Sequence, residues 1–272
     1  MSHLHRHLAP ISGQAWEQIE EEAKRTLKAT LAARKLVDFD GPKGWQKSAV
    51  ATGRVKTLDA GPRAGVAASL RQVQPIVELR AIFELSREEL DGVDRGSENP
   101  DLDPVIAAAR EIALAEDGAA FHGYGAGQIH GIVEEAPGGP IAITHDYEDY
   151  PVAVAQAITR LRNAGVDGPY AIALGPQCYT GLTDSTKHGY PIIQHVRRLI
   201  DGPIVYAPAV DGAVVLSMRG GDFKLTVGQD FSIGYLDHTA KTVTLYLEES
   251  FTFQVLSPQA AVRLAYQDGK KN

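Results

Sequence analysis

Between Phe223 and Val255 apolar and β-branched side chains fall on every second position: Leu225 and Val227, then Val243, Leu245 and Leu247, then Phe251, Phe253 and Val255. That period of two is the period of strands packed on one face. Gly228, Gly234 and the Asp237-His238 step cut the run into hairpin-sized pieces. The first part of the chain has a different period. Ser12 is placed to cap a helix from Gly13 to about Lys35, with Trp16, Ile19, Ala23, Leu27 and Leu31 on one stripe and Glu20, Glu21, Lys24 and Lys28 on the opposite face. Steps of three and four give a narrow buried face, so this helix is expected to lie on a surface.

From Val37 to Arg80, Gly53, Gly61, Pro62, Gly65 and Pro75 punctuate extended segments, which predicts an outstretched β-hairpin. Ser86 and Glu89 make a capping-box pattern before a short helix. Asp103 as cap and Pro104 as first residue predict a longer helix through Phe121, carrying Val105, Ile106, Ala109, Ile112, Ala113, Glu116 and Ala120 near one face. After the glycine-dense crossing Gly123 to Gly131 the pattern alternates. Helices are expected at Tyr150 to Ala164, Pro176 to Thr183 and Pro191 to Ile200, and strands at Tyr170 to Leu174, Pro203 to Pro208 and Ala213 to Met218.

Composition narrows the function classes. A chain of 272 residues, 44% hydrophobic, is long enough to bury roughly 70–75% of its unfolded surface. The 27 Lys+Arg against 34 Asp+Glu give a formal charge of −7, and no consecutive basic block offers a track for phosphates, so nucleic acid is not an expected partner. The single cysteine, Cys178, excludes an intrachain disulfide and fits a reducing cytoplasm. No secretory signal is expected from the first residues, and no apolar run is long enough for a membrane span.

Candidate chemistry is sparse. His3, His5 and His7 alternate, as in a metal grip built on a strand, yet no neighbouring carboxylate or cysteine completes it, and a solvated arm is the expectation. Cys178 stands near Asp184, His188 and His195 in sequence, the residue types of a thiol nucleophile site. Its setting in a helix beginning at Pro176, with Tyr179 and Leu182, instead favours a buried packing cysteine. The Gly123–Gly127 segment follows a helix rather than opening one and lacks the lysine of a phosphate loop. Glu248 and Glu249, being adjacent on a strand, should face opposite sides. No catalytic set emerges.

Short motifs in one order along nearly the whole chain carry a family resemblance. They are LAPI at Leu8–Ile11, RKLVD at Arg34–Asp38, the Gly41–Trp45 turn, PIVELR at Pro75–Arg80, AGVDGPY at Ala164–Tyr170, HGYP at His188–Pro191, RGGDF at Arg219–Phe223, GQDFSIGY at Gly228–Tyr235 and ESFTFQV at Glu249–Val255. Together they resemble the encapsulins, shell subunits of bacterial nanocompartments also known as the linocin-type bacteriocin family. The resemblance implies an α+β chain with the tailed-phage major capsid protein fold. Residues 1–47 would be an N-terminal helix and arm on the lumenal side of a peripheral domain, and 48–82 the extended β-hairpin loop that lies across a neighbouring subunit. Residues 83–131 would be the peripheral domain with its spine helix, 132–218 the axial domain, and 219–272 the returning peripheral sheet and C-terminus.

The same resemblance implies a non-enzymatic, cytoplasmic homo-oligomer: an icosahedral shell of roughly 60 copies or a larger triangulation. A cargo groove for the C-terminal peptide of a guest protein maps to Leu27, Leu31, Arg34, Leu36, Asp38, Asp230, Ile233 and Tyr235. The guest is expected to be a dye-decolourising peroxidase or a ferritin-like protein. A fivefold pore loop maps to Asp184, Ser185, Thr186, Lys187, His188 and Gly189. Some encapsulins stack a flavin on a tryptophan in the segment before the spine helix. Here Glu88 stands at the matching position, so no flavin, metal or other cofactor is expected. Two alternatives stay open: a Cys-dependent hydrolase or protease, from Cys178 and its neighbours, and a secreted bacteriocin, from the older label of the resembled family.

Overall fold

The computed structural model describes residues 3–187 and 189–267. Helix α1 spans Gly13–Thr30, and the Ser12 hydroxyl oxygen accepts a hydrogen bond from Ala15 N at 3.1 Å. Trp16, Ile19, Ala23 and Leu27 are buried along it, as their spacing requires. The helix stops at Thr30, short of the expected Lys35. Leu31 is extended, and the N–H groups of Ala32 and Ala33 donate to the Asp117 carboxylate at 2.8 and 2.9 Å. A buried acceptor that takes both amides ends the helix there, and Ala33–Lys35 form only a 3₁₀ turn.

Strand β1 spans Asp38–Asp40, and β2 (Ala49–Thr57) and β3 (Ser69–Pro75) form the expected outstretched hairpin, paired among the described residues only with each other. Strand β4 follows at Val77–Ser86, then α2 at Arg87–Asp94 and α3 at Asp103–His122. The expected caps of these two helices are replaced by loop contacts. Ser86 makes no capping bond, and Glu89 instead accepts from Asp101 N at 3.0 Å. Asp103 is the first helical residue rather than the cap, and its N–H donates to Asp101 at 3.1 Å. Both acids serve to fold the loop between the helices onto itself.

The second half holds α4 (Ile132–Glu135), β5 (Ile141–Ile143), α5 (Tyr150–Asn163), β6 (Tyr170–Leu174), α6 (Pro176–Asp184), the short strands β7 (Thr186–Lys187) and β8 (Tyr190–Pro191), and α7 (Ile192–Arg197). Strands β9 (Ile204–Tyr206), β10 (Ala213–Ser217), β11 (Phe223–Val227), β12 (Ser232–His238), β13 (Thr242–Val255) and β14 (Ala261–Tyr266) complete it. Helix α7 ends before the expected Ile200. Asp201 accepts from Tyr170 N at 2.7 Å and Gly202 N donates to Tyr170 O at 2.7 Å, which turns the chain onto the end of β6.

Two five-stranded sheets result. In the first, β13 is the spine: β12 pairs with its first half, β11 with its second, β4 runs antiparallel along its other edge, and β1 adds to β11 in parallel. Helices α1 and α3 cover one face of this sheet over a core of Ile19, Leu27, Ile112, Leu245 and Leu247. The second sheet has the order β5-β14-β10-β6-β9 and packs against α5. Its strands β6 and β10 are buried along their whole length, so they read as apolar runs rather than alternations. One expectation needs correction: residues 219–272 do not all belong to the first sheet. After β13 the chain crosses over, and β14 inserts between β5 and β10 of the second.

Candidate functional site

A groove of about 620 Å³ runs between α1 and the β12 edge of the first sheet. Its floor is apolar: Ala23, Leu27 and Leu31 from α1 and the residue after it, Ile233 from β12, and Leu247 from β13. Leu27 and Leu31 are each 7% exposed and Ile233 5%, so these side chains pack the helix onto its sheet and show the groove only their outer atoms. Half-buried Phe231 and Leu4 supply more open apolar surface, and Lys24 and Lys28 stand on the rim.

Arg34 closes one end. Its guanidinium bonds bidentately to Glu116 at 2.9 and 2.5 Å, to Asp230 at 2.8 Å and to Glu249 at 3.1 Å, and it lies between the rings of Phe39 and Phe231 at 5.1 and 4.5 Å. Burial alone would lower the Arg34 pKa, but the three carboxylates outweigh it and hold the guanidinium charged. Glu249 is pushed well above the usual carboxylate range by its burial and by the charge of Glu116 beside it. Asp117, next on α3, is raised to about 7, chiefly by burial, against the opposing effect of its two backbone hydrogen bonds.

Of the eight residues expected to line the groove, the structure brings Leu27, Leu31, Arg34, Asp230 and Ile233 together. The other three lie elsewhere. Leu36 is buried in the core under the second half of α3, and with Asp38 it borders a separate hollow of about 60 Å³. Asp38 accepts from Gly221 N at 2.6 Å, holding the turn whose Gly220 and Gly221 both have positive φ. Tyr235 bonds through its hydroxyl to His238 at 2.6 Å and through its N–H to Leu4 O at 2.9 Å. The sequence reading missed Glu116, Glu249, Phe231 and the arm residues Leu4 and Arg6. Two carboxylates interrupting the alanine-rich stripe of α3 were the available signal for a buried cation.

The candidate pore residues share one loop. Asp184 ends α6, Thr186 and Lys187 form β7, and Gly189 turns with φ +80° into β8. Lys187 donates to the Glu148 carbonyl at 3.3 Å. His188 lies outside the described residues.

The remaining candidates resolve into packing. Cys178 is fully buried, with Tyr266 Oη 3.2 Å from its sulfur, and burial pushes its thiol up, away from the thiolate a nucleophile needs. His3, His5 and His7 do not sit on a strand: Arg6–Leu8 is a 3₁₀ turn and His5 has φ +49°. His3 instead stacks on Trp45 at 4.3 Å and bonds to Glu248 at 2.7 Å. Glu248 and Glu249 do face opposite sides of β13, Glu248 toward Arg80 and His3 and Glu249 toward Arg34, and both are buried. Glu88 is solvated and paired with Arg95 at 3.0 Å. Among the described residues no group of three or more His, Cys, Asp or Glu is arranged to hold a metal, and no helix is long and apolar enough to cross a membrane.

A spine helix over a sheet, a second helix-packed sheet and a projecting two-stranded hairpin define the tailed-phage major capsid fold. The chain superposes on the virus-like particle subunit of Pyrococcus furiosus with a TM-score of 0.66 at 15% identity, covering 92% of this chain and 98% of that one. It superposes on the capsid of Myoviridae phage XM1 with a TM-score of 0.55 at 10% identity, over 86% and 91% of the two chains. The family is fixed by sequence: residues 1–252 match the model described as encapsulating protein for peroxidase. The type 1 encapsulin shell protein of Rhodospirillum rubrum is 53% identical over 270 residues, 97% of this chain and 96% of its own length. The chain therefore belongs to the encapsulin shell proteins.

Proposed function

We propose that this chain is a non-enzymatic shell protomer that closes with identical copies into an icosahedral container in the cytoplasm and holds a guest enzyme inside. The observation that carries the assembly is the β2–β3 ribbon. Among the described residues it pairs with no other strand, yet Val55, Val66, Leu70 and Val73 along it are all at least half exposed. A two-stranded ribbon is at best marginally stable in water, and an apolar one needs a second copy to cover it. The net charge of −7 suits a lumen that holds protein rather than nucleic acid.

The groove between α1 and β12 is the docking site for the guest's C-terminal peptide, with apolar side chains of the peptide resting on Leu27, Leu31 and Ile233. A peroxidase is the favoured guest, from the family description, and a ferritin-like protein the second. The Asp184–Gly189 loops, gathered around an axis, form a charged ring that filters small solutes. The protomer carries no flavin, because Glu88 stands where a stacking ring would be required. The rival reading of a cysteine hydrolase is disfavoured by the burial of Cys178.

Size-exclusion chromatography with negative-stain microscopy tests the assembly: closed megadalton particles are expected, and Val55→Asp with Leu70→Asp should leave small species. A wild-type chain that stays monomeric or dimeric in every assembly buffer overturns the proposal. Loading of a fluorescent protein fused to a peroxidase tail tests the groove, and Leu31→Asp should abolish it.

A further inference from the structure

The segment His3 to Leu8 is neither helix α1 nor a free tail. It crosses the first sheet and is held by five separate contacts. The His3 ring stacks on Trp45 at 4.3 Å, nearly parallel to it, and its Nε2 lies 2.7 Å from a carboxylate oxygen of Glu248, which is 1% exposed. Leu4 O accepts from Tyr235 N on β12 at 2.9 Å. Arg6 pairs with Glu20 of α1 at 2.5 Å and lies over the Trp16 ring at 4.2 Å. The arm is thus pinned to the sheet at His3, to the strand edge at Leu4 and to the helix at Arg6. Leu4 and Arg6 themselves line the groove.

We infer that this arm is a built wall of the docking groove, with His3 and Arg6 as positioning residues and Leu4 as a residue that selects the peptide. The inference rests on the groove being the guest's docking site. Without the arm the groove would be an open shelf between α1 and β12. With it, the space opposite Leu27 and Leu31 is bounded on a further side, and the bulk of the Leu4 side chain limits what enters. The arm already occupies the Tyr235 position of the β12 edge, so the peptide is confined to the stretch from Asp230 to Ile233. The occupant this shape fits is an extended segment bearing small or branched apolar side chains, since a flat floor with a close wall admits them and rejects large rings.

The experiment uses assembled shells co-expressed with a fluorescent protein that carries the C-terminal tail of a peroxidase from the same genome. Guest copies per shell are read by absorbance after size exclusion, and particle diameter is read by microscopy. Leu4→Asp and His3→Ala should each lower loading about tenfold with diameter unchanged, and His3→Gln, which can still bond Glu248, should recover much of the loss. Leu4→Ala supplies a readout that folding alone would not move: a tail with one leucine enlarged to phenylalanine should load better into this variant than into wild type. Wild-type loading matched by Leu4→Asp and His3→Ala, or the same tail preference in Leu4→Ala and wild type, overturns the inference. Failure of wild-type shells to load any tail overturns the groove assignment itself.

Discussion

The two sheets of this protein are packed by opposite means. Around the second sheet the buried set is almost wholly aliphatic: β6 and β10 contribute Ala171, Ile172, Ala173, Leu174, Val214 and Val215, all at 0% exposure. Around the first sheet the helices cover Leu245 and Leu247, but they also cover Glu116, Asp117 and Glu249, gathered at or near Arg34. An aliphatic core derives its stability from area and shape and tolerates small changes. A buried ion cluster costs several kcal/mol of desolvation per charge and holds only while every partner is present. The ion cluster lies where the groove ends, so the first region gives up stability for a fixed geometry at that end of the groove, and the second supplies an aliphatic frame.

The contrast can be broken most sharply at Arg34. Arg34→Met leaves Glu116 and Glu249 buried without their cation and should destabilise the protein by about 3–5 kcal/mol, read as a fall in the thermal midpoint. Adding Glu116→Leu and Glu249→Leu should restore most of that loss, because a fully apolar replacement removes the desolvation cost as well. If Arg34→Met alone is neutral, the cluster is not what holds this end of the groove.

Asp117 gives a smaller and pH-dependent effect. Its folded pKa of about 7 lies above the ordinary 3.8, so its contribution is fully present below 3.8 and is lost as pH rises through about 7. Wild type should lose stability across that window, and Asp117→Asn should flatten the profile, as urea midpoints at several pH values would show. A profile that is unchanged by Asp117→Asn would assign the titration to another group. The smallest effect belongs to the apolar region: Ile172→Val should cost only about 0.5–1.5 kcal/mol, independent of pH over the same range. A pH-dependent response there would erase the distinction between the two regions.

The elements most legible in the sequence were those whose neighbours lie close in the chain. The alternation from Phe223 to Val255, the stripe of α1 and the apolar run of β6 each announced themselves, because period and burial are set locally. What was not legible depends on distant residues. The end of α1 at Thr30 is decided by Asp117, and the failure of the Ser86 cap by Glu89 turning to Asp101. Five of the eight expected groove residues line one groove and three lie apart from it. Leu36 and Asp38 follow the break in α1, where the chain departs from the helical line a pattern would extend, and Tyr235 lies on the far side of the arm contact.

Strand β14 has a consequence for how the molecule is made. It stands second in its sheet, and β5 reaches the other strands only through it. A ribosome releases Ala261–Tyr266 after it has released β5, β6, β9 and β10, so β5 has no strand to pair with until β14 emerges. Such late, long-range closure is slow compared with helix formation.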